Sequence, residues 1–460
     1  MSPIDAPICP GLRRTDPLWD TFTPLMDLLR ISGPRPLHGT VSISGSKNAA
    51  LPVMAASLLT DQALELRNVP DIEDIEAMAA MLRHLGVEVD RLSSSSWRLH
   101  AETVRSAEVG ADLTRRMRGS FLLLGALIAR TGEAAIAKPG GDDIGMRRVE
   151  QHLEGLRLMG ARVEERADMY AAQARRLRGA RIDLDIPTVT GTENLIMAAV
   201  LAEGITVISN AAREPHVVDL VRCLVGMGAH IAGAGSELIV IEGQSGLLHG
   251  TEHSITTDYI EAGTYMVAAA ATGGDVTIDR MRPSDVRWLI NKLRSAGAEV
   301  VEGASQVRVR SAPLHAVDVT TWPHPGFATD LQPQYCALMT QATGISIVSE
   351  ALYENRFRHV PALLNFGARI SVEGRSAIID GPVDLHATHA TVPDIRSGAA
   401  LVIAALCAHG TSDLDSVYHL DRGYESLEEK LRGLGADIQR ISIEGGAGPA
   451  LRDLSGVIGD

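Results

Sequence analysis

One pattern recurs six times along this 460-residue chain: a Leu-containing helix end, a glycine, then Ala or Val, then an alternating strand. The copies read LRHLGVEV (82–89), LRLMGARV (156–163), LVGMGAHI (224–231), LRSAGAEV (293–300), LLNFGARI (363–370) and LRGLGADI (431–438). Their glycines, Gly86, Gly160, Gly228, Gly297, Gly367 and Gly435, recur every 68–74 residues. Each stands where a helix ends in the left-handed backbone region that glycine enters without strain. Chance does not produce such regularity, and the chain reads as six copies of one supersecondary unit.

A second marker runs in phase with the first. An Ala/Leu-rich helix, a turn and a short strand recur, as in LIARTGEAAIA (127–137), VLAEGITVIS (200–209) and LCAHGTSDL (406–414). Each unit therefore reads as strand, helix, strand, helix, strand. One helix per unit is apolar on nearly every face, for example at 51–59 and 266–271, and such helices belong inside a domain. Aromatics are only 3% of residues, so the cores must be built from Leu, Val, Ile and Ala. A single unit cannot bury its apolar helix alone. Three units per core give an α/β (α+β) chain of two pseudo-threefold domains, each about 200 residues and within the usual domain size. Residues 1–25, with Pro3, Pro7, Pro10 and Pro17, read as a loose N-terminal extension, and the Gly-rich 444–460 as a flexible tail.

Charge narrows the function classes. There are 43 Lys and Arg against 57 Asp and Glu, a net charge of −14, which argues against nucleic acid or an anionic membrane as a partner. The uncharged stretch 397–412 is shorter than the ~18 apolar residues a membrane span requires, and no secretory leader is read at the N-terminus. The four cysteines, Cys9, Cys223, Cys336 and Cys407, are scattered, which suits neither a metal site nor a disulfide framework.

In such a repeat, site residues belong where polar groups interrupt the filler. SGSKNAALP (44–52) puts Lys47 and Asn48 at a helix N-terminus, where an ammonium is disfavoured unless an anion compensates it. A capped helix with an exposed lysine explains the same residues. Arg115, Arg116 and Arg118 precede the next apolar run and read equally well as a solvated turn. PGGDDIGMRR (139–148) has a Gly hinge, carboxylates at Asp142 and Asp143, and anion clamps at Arg147 and Arg148, the composition of a mobile lid or of an ordinary surface loop. TVTGTEN (188–194) offers hydroxyls at a helix start, although Thr and Asn are common caps there. HPGFATDLQPQ (324–334) sets Asp330 at a helix start as a stabilised anion, suited to a sugar hydroxyl, to general-base work, or simply to the helix dipole. The sixth unit supplies Asp394, Arg396 and, in HLDRGYE (419–425), Arg422. Lys47, Arg118, Arg147, Arg396 and Arg422 thus stand at matched positions of different repeats. If the repeats converge on one cleft, its ligands are anionic, and Asp142 and Asp330 remain as acid and base.

SGSKNAALP, TRRMRGS, PGGDDIG, TGTEN, AAREP, HPGFATDLQPQ, YENRF and YHLDRGYE resemble, in order, the UDP-N-acetylglucosamine 1-carboxyvinyltransferase family over about residues 26–442. The resemblance implies a two-domain inverse α/β barrel with three repeats per domain. One domain would be 47–256, carrying the mobile loop 139–148. The other would be discontinuous, 26–46 plus 257–443. It further implies a cytoplasmic enzyme that transfers the enolpyruvyl group of phosphoenolpyruvate to the 3-hydroxyl of UDP-N-acetylglucosamine, releasing phosphate, without metal or organic cofactor. Lys47, Arg147 and Arg422 would hold phosphoenolpyruvate. Asn48, Arg118, Asp330 and the backbone of Leu352 would bind the UDP-sugar, with Arg147, Arg148, Val149, Glu150 and Gln151 and Thr188, Val189 and Thr190 around the nucleotide, and Asp394 and Arg396 lining the cleft. Asp330 would take the hydroxyl proton. Most members have Cys where this chain has Asp142, which can deliver the proton instead if its pKa is raised, and which implies resistance to fosfomycin, the epoxide that alkylates the thiol. RVEQH (148–152) stands where many relatives have Pro-Val-Asp-Leu-His. Rival readings are an enolpyruvyl transferase acting on another nucleotide in antibiotic assembly, and a non-catalytic UDP-sugar binder.

Overall fold

The computed structural model describes residues 26–443; the expected N-terminal extension and C-terminal tail lie outside them. The sixfold pattern becomes six four-stranded sheets. All six marker glycines have positive φ, between 91° and 102°, so each outer helix ends through the left-handed residue its position requires.

The way strands are shared closes each half into a ring. The strand Glu133–Ala137 takes its parallel neighbour, Glu108–Val109, from the unit before it, and Gly204–Ser209 takes Arg181–Asp183 in the same way. Thr251–Ser254 then runs back beside Ala63–Arg67 and joins the third unit to the first. In the other half Val319–Thr320 and His389–Thr391 repeat this exchange. The remaining strand places there are filled from the start of the chain. His38–Ser42 lies parallel to Asp275–Asp279, and Met26–Gly33 sits antiparallel between Gly410–Asp415 and Asp437–Ile443.

Helices fill the interior and the sheets face outward, a two-domain inside-out α/β fold. The inner helices are Lys47–Ala55, Leu123–Thr131 and Val189–Ala199 in one half, and Tyr259–Ala271, Gln332–Met339 and Ile395–Cys407 in the other. Tyr259–Ala271 and Ile395–Cys407 are buried at every residue, which is why they are written in small and aliphatic side chains with no polar stripe. Outer helices are amphipathic instead. In Glu73–Leu85 the residues Ile75, Met78, Met81, Leu82 and Leu85 face inward at helical spacing. Buried apolar residues form two clusters, one spanning Ala49 to Ile255, the other joining Leu29–Ile43 to Tyr259–Ile438. Cys223, Cys336 and Cys407 are buried thiols within them.

Candidate active site

Inner-helix N-termini and the loops beside them carry the polar residues. Lys47 opens the helix Lys47–Ala55, and the anion its position calls for comes from the protein itself: Nζ lies 3.1 Å from Asp74 Oδ2. Asp74, in the first turn of Glu73–Leu85, also accepts from Arg422 Nε at 3.0 Å through its other oxygen. Arg422 Nη1 in turn donates to Asp142 Oδ1 at 2.7 Å. Lys47, Asp74, Arg422 and Asp142 form one chain of alternating charges, with side chains only 5–14% exposed. Arg422 comes from the half built on residues 257–443 and its two carboxylate partners from the other, so this chain crosses between the halves.

Asp330 anchors a second cluster. Its Oδ1 accepts from Arg356 Nη2 at 2.7 Å and its Oδ2 from Arg396 Nε at 3.2 Å. Both guanidiniums are buried, at 3% and 5% exposure. Burial pushes the Asp330 carboxyl up, but Arg396, Arg356, Lys47 and Arg147 outweigh it and hold it far below the usual carboxylate range. Burial lowers Arg396, but Asp330, with Tyr424 and Asp258 beside it, outweighs burial and raises it. Asp394 caps the helix Ile395–Cys407 with Oδ1 on the amides of Arg396 and Ser397 (3.1 and 2.9 Å), and its Oδ2 accepts from Ser397 Oγ at 2.6 Å. Its carboxylate thereby holds the helix start from which the Arg396 side chain leaves. Glu350, also buried, accepts from Thr321 Oγ1, Thr329 Oγ1, and the amides of Leu352 and Tyr353. It ties the loop that carries Arg356 to the turn that carries Asp330. The Leu352 amide is therefore occupied, and only its carbonyl is free for a ligand.

Asp142 corrects one expectation. A proton donor needs a raised pKa, and burial does push this carboxyl up, but Arg422, Lys47 and Arg147 outweigh burial and hold it low. The carboxylate is an ion-pair partner of Arg422. Asp142 and Asp330 thus feel the charges of the same Lys47 and Arg147.

The loop 139–148 is docked. Gly140 N–H donates to Thr114 O at 3.1 Å, Asn355 N–H to Ile144 O at 3.1 Å, Asn355 Nδ2 to Asp143 O at 3.1 Å, Arg358 Nη1 to Asp143 O at 3.2 Å, and Met146 N–H to Glu354 Oε2 at 3.1 Å. The YENRF segment is the landing surface for this loop. Asp143 is spent on Asn355, which turns Asp142 inward. Gly145 (φ 123°) lies so close that a Cβ there would be 2.9 Å from the Glu354 backbone nitrogen. Arg147 stacks over Tyr353, 5.9 Å from the ring centroid, with its Nε buried and unpartnered.

Arg118 is held at about 10 by burial and by the nearby Arg147 charge. Among the described residues neither arginine makes an ion pair with a carboxylate, so the two form an uncompensated positive patch. Arg115 and Arg116 are exposed, as a solvated turn would have them. Among the residues expected around a nucleotide the picture is mixed. Thr188 caps its own helix on Gly191 N–H. The Thr190 hydroxyl accepts from His152 Nε2 at 3.3 Å; His152 Nδ1 accepts from Asn194 at 3.0 Å, and burial first, then Arg118, lowers His152 to about 3, which makes it neutral. The Thr190 hydroxyl proton is left to donate elsewhere. Gln151 clamps the backbone of Asp185 and Ile186: its Oε1 accepts from the Asp185 amide at 2.7 Å and its Nε2 donates to Ile186 O at 3.2 Å. Val149 is buried in the core, and Val189 packs against it. Arg148 and Glu150 are exposed, and Asn48 is half-buried.

Sequence reasoning missed Asp74 and gave Arg356 no role. Arg356 stood in a noticed motif. Asp74 had no signal, because acidic residues at 73, 74 and 76 are ordinary for a first helical turn.

Comparisons with known proteins agree in kind. Residues 31–431 match the family model described as EPSP synthase (3-phosphoshikimate 1-carboxyvinyltransferase). The UDP-N-acetylglucosamine 1-carboxyvinyltransferase of Magnetococcus marinus is 47% identical over 418 residues, 90% of this chain and 100% of that protein. That of Sorangium cellulosum is 49% identical over 419 residues, covering 90% and 99%. Among solved structures, the enolpyruvyl transferase NikO from Streptomyces tendae superposes with TM-score 0.82 at 28% identity, covering 92% of this chain and all of that one. EPSP synthase from Acinetobacter baumannii, with TM-score 0.70, 19% identity and coverage of 91% and 100%, shares the fold.

Proposed function

The chain belongs to the EPSP synthase family of enolpyruvyl transferases, and from that premise we propose that it transfers the enolpyruvyl group of phosphoenolpyruvate to the 3-hydroxyl of UDP-N-acetylglucosamine, the first committed step towards peptidoglycan. The observation that carries this reading is the charge chain Lys47–Asp74–Arg422–Asp142, set beside Asp330 and the uncompensated Arg118 and Arg147. Three anionic groups, a phosphate, a carboxylate and a diphosphate, suit the four cations Lys47, Arg118, Arg147 and Arg422.

Lys47, Arg147 and Arg422 grip phosphoenolpyruvate through its phosphate and carboxylate. Asp330 is anionic and oriented by two guanidiniums, so it accepts the sugar hydroxyl proton as the oxygen adds to C2. Asp142 delivers a proton to the methylene carbon. The cations that keep Asp142 ionised are the ones phosphoenolpyruvate recruits. Phosphate and carboxylate charge placed on Lys47 and Arg422 offsets their pull, and burial then drives the Asp142 carboxyl up, toward an acid. Addition gives a tetrahedral phospho-ketal bearing a methyl group; the Asp142 carboxylate left by the first transfer takes a proton back from that methyl as phosphate is expelled, which gives the enol ether. Arg118, Asn48, Thr188 and Thr190 serve the nucleotide-sugar. Gln151 supports their wall from behind, and Val149 contributes backbone only.

Both substrates are multiply charged and do not cross a bilayer unaided, which supports a cytoplasmic enzyme. Among the described residues no helix is long and apolar enough to cross a membrane.

The test is phosphate release from phosphoenolpyruvate with UDP-N-acetylglucosamine or UMP as acceptor, for wild type beside Asp142→Ala. We expect turnover with the UDP-sugar only, and a loss of about 10²–10⁴-fold in the variant. An inactive wild type overturns the function; an active Asp142→Ala removes only the proton donor.

A further inference from the structure

Asp74 is the residue that most needs an account. It is 4% exposed, it lies on an outer helix, and its two oxygens divide between cations from the two halves of the molecule: Oδ2 takes Lys47 Nζ at 3.1 Å and Oδ1 takes Arg422 Nε at 3.0 Å. Were it only a counter-ion, it would compete with the anionic substrate. The geometry argues otherwise. Asp74 uses the Nε edge of the Arg422 guanidinium, while Asp142 uses Nη1. An incoming oxyanion can replace Asp142 on the outer edge without displacing Asp74. The ammonium of Lys47 likewise gives one of its three protons to Asp74 and keeps two.

We propose that Asp74 is a positioning residue for the transfer reaction: its carboxylate fixes the Lys47 ammonium and one edge of the Arg422 guanidinium so that their remaining donors face the phosphate and carboxylate of phosphoenolpyruvate. A planar guanidinium held along one edge has its other edge aimed. A long lysine held at its tip keeps its two remaining N–H groups on one heading while the reaction proceeds. Because Lys47 and Arg422 belong to different halves, Asp74 also sets the spacing at which the halves present their charges. The inference rests on the proposed function and deepens it.

The experiment uses the full chain, with Asp74→Asn and Asp74→Glu measured beside wild type. Thermal melts establish folding, steady-state kinetics give kcat and KM for phosphoenolpyruvate, and titration calorimetry with inorganic phosphate measures the anion grip separately. Asp74→Asn removes a negative charge beside two cations, so phosphate affinity is retained or strengthened. With the cations no longer aimed, kcat falls by about 10- to 100-fold, the scale of a catalytic group displaced by an ångström. Asp74→Glu keeps the charge and recovers part of kcat. A residue that merely stabilised the fold would lower the melting temperature and leave this split absent.

The proposal is overturned if Asp74→Asn keeps its kcat, or if KM and the phosphate dissociation constant rise while kcat holds. Should Asp74→Asn fail to fold, Asp74→Glu carries the test: a kcat loss at unchanged phosphate affinity supports the role, and any other pattern removes it. A wild type that binds phosphate but turns nothing over would sink the proposed function, whereas an active wild type with a normal Asp74→Asn sinks this inference alone.

Discussion

Replacing Asp330 by Asn separates stability from chemistry. The side chain keeps its shape and loses its charge, leaving Arg356 and Arg396 with 3% and 5% exposure and no carboxylate between them. Removing one partner of a buried ion pair costs about 3–5 kcal/mol. Asp330 itself is 30% exposed, so solvent softens the loss and the low end, about 3 kcal/mol, applies. For a domain of about 200 residues this lowers Tm by roughly 6–12 °C. The pH dependence follows from the sign of the shift. The folded carboxyl is held below its unfolded value of about 3.9, so its stabilisation is fully present above that value and is lost as pH falls through the depressed folded pKa. The gap in Tm between wild type and Asp330→Asn should therefore be constant from pH 8 to pH 5 and narrow only in stronger acid. Calorimetric melts across that range supply the first measurement. Phosphate release, assayed well below both melting temperatures, supplies the second, with an expected fall of about 10²–10⁴-fold for loss of a general base. A variant as stable as wild type, or a gap that closes by pH 5, would show that the two guanidiniums do not depend on this carboxylate.

Two further outcomes follow from the loop 139–148. Wild type should survive prolonged exposure to fosfomycin, because a carboxylate held by Arg422 is a poor nucleophile, whereas Asp142→Cys should place a thiolate of lowered pKa beside Lys47 and Arg422 and be inactivated with time; mass spectrometry that finds an adduct on Asp142 in wild type contradicts this. Gly145→Ala forces a non-glycine residue to φ 123° and its Cβ to 2.9 Å from the Glu354 backbone nitrogen, so loop docking should weaken by about 1–3 kcal/mol. Amide hydrogen exchange at Ile144 to Arg147 should then quicken, and unchanged protection would show that the loop is not held there.

Local chemistry was legible. Gly86 and its five counterparts announced themselves because a left-handed helix end accepts few other residues, and the inner helices because no polar stripe interrupts them. Repetition of these short-range signals was enough for the α/β class, the six units and their grouping in threes. Lys47, Arg147, Asp330 and Arg422 could be nominated because each broke that filler at a matched position. Their partners could not. Arg422 meets Asp142 across 280 residues of chain and Asp74 across 348, and nothing near Asp74 in sequence distinguishes it from an ordinary first-turn acid. The same holds for protonation. An aspartate has one intrinsic pKa, and whether Asp142 is an acid or an ion-pair partner depends on which charges the fold sets within a few ångströms of it. Helix ends and apolar faces are properties of neighbours along the chain, while electrostatic energy falls with distance through space. The sequence therefore wrote the repeat and its cationic interruptions, and the tertiary structure alone decided which anions they hold.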